Sequence, residues 1–182
     1  MGVADFENLL KASMGLNAAS IGSSAIARAV LERLGACNVD NPRAYWDRVR
    51  SSTAELQELI EAVVVPETWF FRGPESLAAL ARLAHEEWRR RPDHILSLLS
   101  LPCSTGEEPY SMAIALLDAP IPAERFRIDA VDISTRVLRQ AGLGVYGRNS
   151  FRGQALEFRD RHFDQTAPGY RLNESVRRQV RF

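Results

Sequence analysis

The sequence predicts an α/β protein, in which a small all-helical N-terminal domain precedes the opening units of a Rossmann-like parallel sheet. Residues 5–65 carry helical spacing only. The apolar run Leu96-Ser97-Leu98-Leu99-Ser100-Leu101 has strand length and ends at Pro102; a small-residue turn with the single glycine Gly106 follows, and helical spacing resumes at Glu107. A second run, Phe126–Asp132, alternates and ends on an acid. Strand, tight turn and helix in that order open an α/β sheet whose ligands bind outside the carboxyl ends of its strands.

Taken in order, Phe6, Leu9 and Leu10 predict a short amphipathic helix ending near Gly15. Ser23 or Ser24 caps the next, with Ile26, Val30, Leu31 and Leu34 on one face and Gly35 as its stop. Asn41-Pro42 starts a third, carrying Tyr45, Trp46 and Val49, since proline is well tolerated at a first helical position. Thr53, ahead of Glu55, caps a fourth with Leu56, Leu59, Ile60 and Val63 along its apolar face. Residues 1–65 thus form a helical domain that either caps its neighbour or docks an acidic partner through Arg28, Arg33, Arg43, Arg48 and Arg50. Acids slightly outnumber bases there, so docking requires the arginines to cluster on one face.

Residues 66–74 read as a linker, with the unusual aromatic run Thr68-Trp69-Phe70-Phe71-Arg72. The aromatics serve as a hydrophobic plug and also wedge the linker over a pocket into which Thr68 and Arg72 point. Residues 75–182 form the α/β domain. Its first helix places Leu77, Leu80, Ala81, Ala84 and Trp88 on one face and ends in Arg89-Arg90-Arg91, which suits the negative end of the helix dipole. Strand 94–101, helix 107–118, strand 126–132 and a helix capped by Ser134 follow, the last closing around Gly142–Gly144. Residues 145–170 read as loop-rich with short helical pieces, and Val180-Arg181-Phe182 as a third strand just starting.

Composition narrows the chemistry. The 182 residues have a formal net charge of zero, with 46% hydrophobic and 25% charged residues. That is a soluble profile without a general polyanion-binding surface, which argues against nucleic acid. Neither a signal peptide nor a membrane-length apolar run is present, so the expected location is cytoplasmic, without membrane insertion. Cys37, Cys103, His85, His94 and His162 share no ligand spacing, and no metal is expected.

The turn itself is not a phosphate loop. No lysine follows Gly106, and Glu107 and Glu108 stand at the helix start, where they suit the dipole but would repel a pyrophosphate. Asp132 closes the second strand 24 positions beyond Glu108. An acid so placed commonly accepts hydrogen bonds from both ribose hydroxyls of an adenosine cofactor. An adenosine with a cationic, phosphate-free tail is S-adenosylmethionine (SAM). An ordinary α/β turn with capping carboxylates produces the same pattern.

Three strings carry a more specific signal. Thr68-Trp69-Phe70-Phe71-Arg72, Pro102-Cys103-Ser104-Thr105-Gly106-Glu107-Glu108-Pro109-Tyr110-Ser111 and Asp132-Ile133-Ser134 closely resemble the CheR family of chemoreceptor glutamate methyltransferases. The four-helix N-terminal segment and Gly144-Val145-Tyr146 fit the same pattern. Val65-Pro66-Glu67-Thr68-Trp69 and Gly147-Arg148-Asn149-Ser150-Phe151-Arg152 resemble most the branch of that family serving surface-sensing pathways.

The resemblance implies the first half of a class I SAM-dependent methyltransferase sheet behind a receptor-recognition domain. It implies methyl esterification of glutamates on the cytoplasmic helical region of a methyl-accepting chemoreceptor, with S-adenosylhomocysteine (SAH) as product. Carried over, Thr68, Arg72, Gly106, Glu108 and Asp132 bind the cofactor, Glu108 holding its ammonium and Asp132 its ribose, while Arg72 is also the catalytic residue. Pro66 stands where many members have an asparagine contact, and it lacks both a side-chain donor and an N–H. The family continues beyond the strand matching Val180-Arg181-Phe182, so the chain is expected to leave an open sheet edge and an uncovered apolar face, available for pairing with another chain. The alternative is a non-catalytic fragment that docks a receptor or regulator.

Overall fold

Side-chain caps at Asn41 and Ser52 start two helices of the first sixty-five residues, whereas the helix beginning at Ser23 follows Gly22 and has no side-chain cap, contrary to the expected Ser23 or Ser24. The structure is a computed structural model describing residues 2–153 and 156–182. Its chain divides into two units, Met1–Val65 and Pro66–Phe182. The first unit holds α1 (Val3–Met14), α2 (Ala18–Ile21), α3 (Ser23–Ala36), α4 (Pro42–Ser51) and α5 (Thr53–Val63). The single-turn α2 is an addition to the four expected helices. α1 ends on left-handed Gly15, and Asn41 caps α4 by accepting the Ala44 amide at 2.9 Å. α5 is capped by Ser52, one residue before the expected Thr53, through the Glu55 amide at 3.2 Å. Gly35 does not stop α3. It stays helical, and Asn38 takes the left-handed position (φ 51°) just beyond the end.

Phe6, Leu10, Ile26, Tyr45 and Leu59 fill this unit's core, with Phe6 stacked on Tyr45 at 5.8 Å and edge-on to Trp46 at 5.3 Å. A buried carboxylate crosses it. Glu55 accepts two 2.9 Å bonds from Arg33 and one of 3.0 Å from the Tyr45 hydroxyl, tying α3, α4 and α5 together.

The second unit contains α6 (Pro74–Arg90), β1 (Leu96–Ser100), α7 (Glu107–Asp118), β2 (Phe126–Ala130) and α8 (Thr135–Leu143). Then come β3 (Val145–Tyr146), α9 (Glu157–His162), β4 (Phe163–Thr166), β5 (Gly169–Leu172), α10 (Glu174–Arg177) and β6 (Val180–Arg181). The main sheet has the order β1-β2-β6 and is parallel throughout. Leu96 pairs with Phe126, Ser100 with Ala130 and Ile128 with Val180, so β1, α7 and β2 make one βαβ crossover. β1 is an edge strand, and Leu99 and Leu101 are 59% and 62% exposed.

The segment expected to be loop-rich holds β3, β4 and the start of β5, which form a small antiparallel sheet in the order β3-β5-β4. Its strands are two to four residues long, too short for alternation to register in the sequence. Gly169 is required there, since a Cβ would meet the Tyr146 carbonyl oxygen.

The linker is part of this unit. Phe70 is 1% exposed and belongs to a core with Tyr110, Ile114, Ile128, Tyr146 and Phe163. Its ring stacks on Phe151 at 5.3 Å and meets Tyr146 and Phe163 edge-on at 4.8 and 5.0 Å.

Candidate functional site

The carboxyl ends of β1 and β2 are laced together beyond the strands themselves. The Val131 amide bonds the Ser100 carbonyl at 3.0 Å, and the Cys103 amide bonds the Val131 carbonyl at 2.9 Å. The turn then reverses through Ser104 (φ 48°) and Gly106 (φ 93°) into α7. Asp132 fastens it from the side, its Oδ2 accepting the Ser104 amide at 2.8 Å and its Oδ1 the Ser134 amide at 3.0 Å. Glu108, exposed in the first turn of α7, accepts the Ser100 hydroxyl at 2.8 Å. Glu108 is thus held beside the last residue of β1 by one hydroxyl, and Asp132 is held beside the turn by two amides. A carboxylate oxygen has two lone pairs, so both acids retain acceptor capacity for a ligand. Between them, burial first and Asp132 second push the Cys103 thiol up to about 12, which keeps it protonated and unreactive.

Gly106 is a packing glycine. A Cβ on it would sit 2.9 Å from Ala141 Cβ, 3.0 Å from the Tyr146 hydroxyl and 3.3 Å from the Phe182 ring. Its missing side chain lets the start of α7 close on α8 and β3.

The sequence presents Glu107 only as a carboxylate suited to the helix dipole, but its environment is the reverse of its neighbour's. At 3% exposure, it accepts the Thr105 hydroxyl at 2.5 Å and the Ser150 hydroxyl at 2.8 Å. Its backbone carbonyl accepts the Ser111 hydroxyl at 2.6 Å, and the Ser111 hydroxyl oxygen in turn accepts the Phe71 amide at 2.9 Å. The available signal was the doublet itself, because successive residues in a first helical turn face in different directions.

Thr68 and Arg72 lie on the segment held by those bonds. Thr68 is half-buried and Arg72 exposed. The Arg72 guanidinium rests 4.6 Å from the centre of the Trp69 ring and donates to the Glu67 carbonyl at 2.9 Å. Arg152 lies 5.6 Å from the same indole. Among the described residues, no hydrogen bond or ion pair joins Thr68 or Arg72 to Glu108 or Asp132. The structure thus brings the two acids to adjacent strand ends and ties the Thr68–Arg72 segment to the first two turns of α7.

The donor set selects a ligand type. Glu108 on α7 is bonded to the last residue of β1, and Asp132 lies just beyond β2, so two carboxylates stand at neighbouring strand ends. Residues 66–182 contain no lysine, and no group of three His, Cys, Asp or Glu among the described residues is arranged to hold a metal. The Ser104 hydroxyl oxygen is buried without a partner, the sole such side-chain atom among the described residues. These groups fit a cationic ligand bearing hydroxyls and lacking phosphates, as SAM does.

Residues 66–182, the second unit in full, match the family described as CheR methyltransferase, SAM binding domain. The chain belongs to the CheR methyltransferase family. The cofactor of this CheR domain is SAM. Over 181 residues the chain is 57% identical to the probable biofilm formation methyltransferase WspC of Pseudomonas aeruginosa, covering 97% of this chain and 42% of that protein. The WspC of Pseudomonas putida is 50% identical, with 96% and 42% covered. Chemotaxis protein methyltransferase 2 of Vibrio cholerae is 33% identical, with 84% and 55% covered. The CheR chain therefore spans about two fifths of the length of the two WspC proteins. No helix among its described residues is long and apolar enough to cross a membrane.

Proposed function

We propose that this protein methylates glutamate side chains on the cytoplasmic helical region of a methyl-accepting chemoreceptor, acting in the cytoplasm on protein and not on nucleic acid. The names of the two Pseudomonas relatives support a chemosensory pathway that governs biofilm formation. The observation carrying the reading is the pair of acids at the ends of β1 and β2, Glu108 strapped to Ser100 and Asp132 to the amide of Ser104.

SAM, when bound, supplies a methyl group on a cationic sulfur and leaves as SAH. A glutamate carboxylate, with a pKa of about 4.3, is already ionised at pH 7, so the protein needs no general base. Its work is alignment and exclusion of water. Glu108 holds the cofactor's ammonium, and Asp132 accepts from the ribose hydroxyls. Thr68 contacts the cofactor, and Arg72 orients the cofactor's methionine end or the incoming carboxylate. Gly106 contributes by letting the turn pack closely.

The test is transfer of labelled methyl from SAM to a receptor's cytoplasmic fragment, with the label read as base-labile methanol. Release of methanol by mild base supports a carboxyl ester. Label that survives base overturns the glutamate assignment, and absence of transfer together with retained receptor binding supports a purely docking role.

A further inference from the structure

Two consecutive amides of the aromatic segment lead back to one residue. The Phe70 amide donates to the Ser150 carbonyl at 2.8 Å, and the Ser150 hydroxyl donates to Glu107 Oε1 at 2.8 Å. The Phe71 amide donates to the Ser111 hydroxyl at 2.9 Å, and that hydroxyl donates to the Glu107 carbonyl at 2.6 Å. The second carboxylate oxygen takes the Thr105 hydroxyl, one residue before Gly106 in the turn. Glu107 is thus joined to the glycine turn, the loop at 147–151 and the segment carrying Thr68 and Arg72. We infer that Glu107 is a positioning residue for the cofactor site, fixing the Thr68–Arg72 segment against the glycine turn without itself touching the ligand.

The inference rests on the SAM-site reading above, and three features favour it over a purely stabilising role. Phe71 has φ 57°, a left-handed conformation that a bulky residue keeps only where its surroundings over-determine it. The residue so constrained immediately precedes Arg72, so the constraint sets the direction in which the arginine leaves the chain. Next, no cation pairs with Glu107 among the described residues, although it is buried; only hydroxyl donors and the positive end of α7 compensate its charge. An apolar residue there would avoid that desolvation, so a stability role does not require a carboxylate. Finally, a carboxylate accepts and never donates, so both hydroxyls must point at it and a single arrangement of turn and loop results.

The side chain and the carbonyl of Glu107 act on different amides, and this separates the outcomes. Glu107→Ala removes the acceptor for Ser150 but keeps the carbonyl for Ser111. In the 182-residue chain, hydrogen exchange at the Phe70 amide is expected to accelerate at least about tenfold beyond any global change, with Phe71 less affected. SAH affinity, measured by calorimetry on folded protein, should fall by about tenfold, the factor corresponding to 1.4 kcal/mol. Glu107→Gln should stay within about threefold in both readouts, because its amide accepts one hydroxyl while the other rotates to accept from it. Ser150→Ala keeps Glu107 and should also release Phe70, which preserves the test if Glu107→Ala does not fold. The inference is overturned if these variants lower the melting temperature while Phe70 exchange and SAH affinity remain at wild-type values. If wild-type protein gives no heat with SAH, the cofactor reading fails, and Phe70 exchange alone decides whether Glu107 positions the segment.

Discussion

The Ser104 amide and the Asp132 carboxylate meet at 2.8 Å, joining the turn after β1 to the acid that ends β2. The turn is thereby held in its left-handed geometry by the group proposed to receive the ribose. Binding at Asp132 and order in the turn are consequently coupled, since the Ser104 amide and the ribose hydroxyls call on the same carboxylate.

Arg72 tests the division between binding and chemistry. Arg72→Lys keeps the charge but loses the planar stack on Trp69 and the forked donor. Methyl transfer should fall about a hundredfold, the range for losing one positioned donor, while SAH affinity changes only a fewfold. Equal losses in both would make Arg72 a cofactor contact alone.

Phe70 is both connector and core. Phe70→Ala should destabilise the protein by about 3–5 kcal/mol, the usual cost of emptying a buried phenylalanine site. Urea unfolding followed by tryptophan fluorescence and circular dichroism measures this. A loss below about 0.5 kcal/mol, the scale of ordinary surface changes, would contradict the packing described.

At Gly106 the expected cost has two sources. Alanine there is strained at φ 93° and meets Ala141, Tyr146 and Phe182. Gly106→Ala should cost about 1–3 kcal/mol from overpacking alone, read as a lowered melting temperature. An unchanged melting temperature would mean that the turn has room the structure does not show.

The first unit carries its own pH dependence. Burial pushes the Glu55 carboxyl up, but hydrogen bonds from Arg33, Cys37 and Tyr45 outweigh it and hold the group below the usual glutamate range. Its stabilising contribution is therefore complete above the unfolded value of about 4.3 and is lost as pH falls through the lower folded value. Glu55→Gln should flatten the acid limb of the unfolding profile. An identical acid limb in wild type and variant would contradict this.

Legibility in the sequence followed the range of the interactions. The β1–α7–β2 unit was readable because its strand lengths, turn residues and helical period are local, and Glu108 and Asp132 followed from their places at its ends. The β3-β5-β4 sheet was hidden because short strands draw their register from partners far along the chain, as Tyr146 does from Tyr170. Ser52 and Thr53 are both cap-forming residue types, and in the structure Ser52 takes the position. Glu107 and Glu108 are likewise the same residue in the sequence. Burial makes one a tie and leaves the other facing outward.

The central claim is that the two acids at the strand ends hold a cationic nucleoside. Calorimetric titration of the 182-residue chain with SAH, alongside Asp132→Ala, tests it most directly. The account predicts binding by wild type and a loss of about 1.5–3 kcal/mol in the variant, the value of a charge-assisted hydrogen bond. Equal affinity in the two proteins would contradict it.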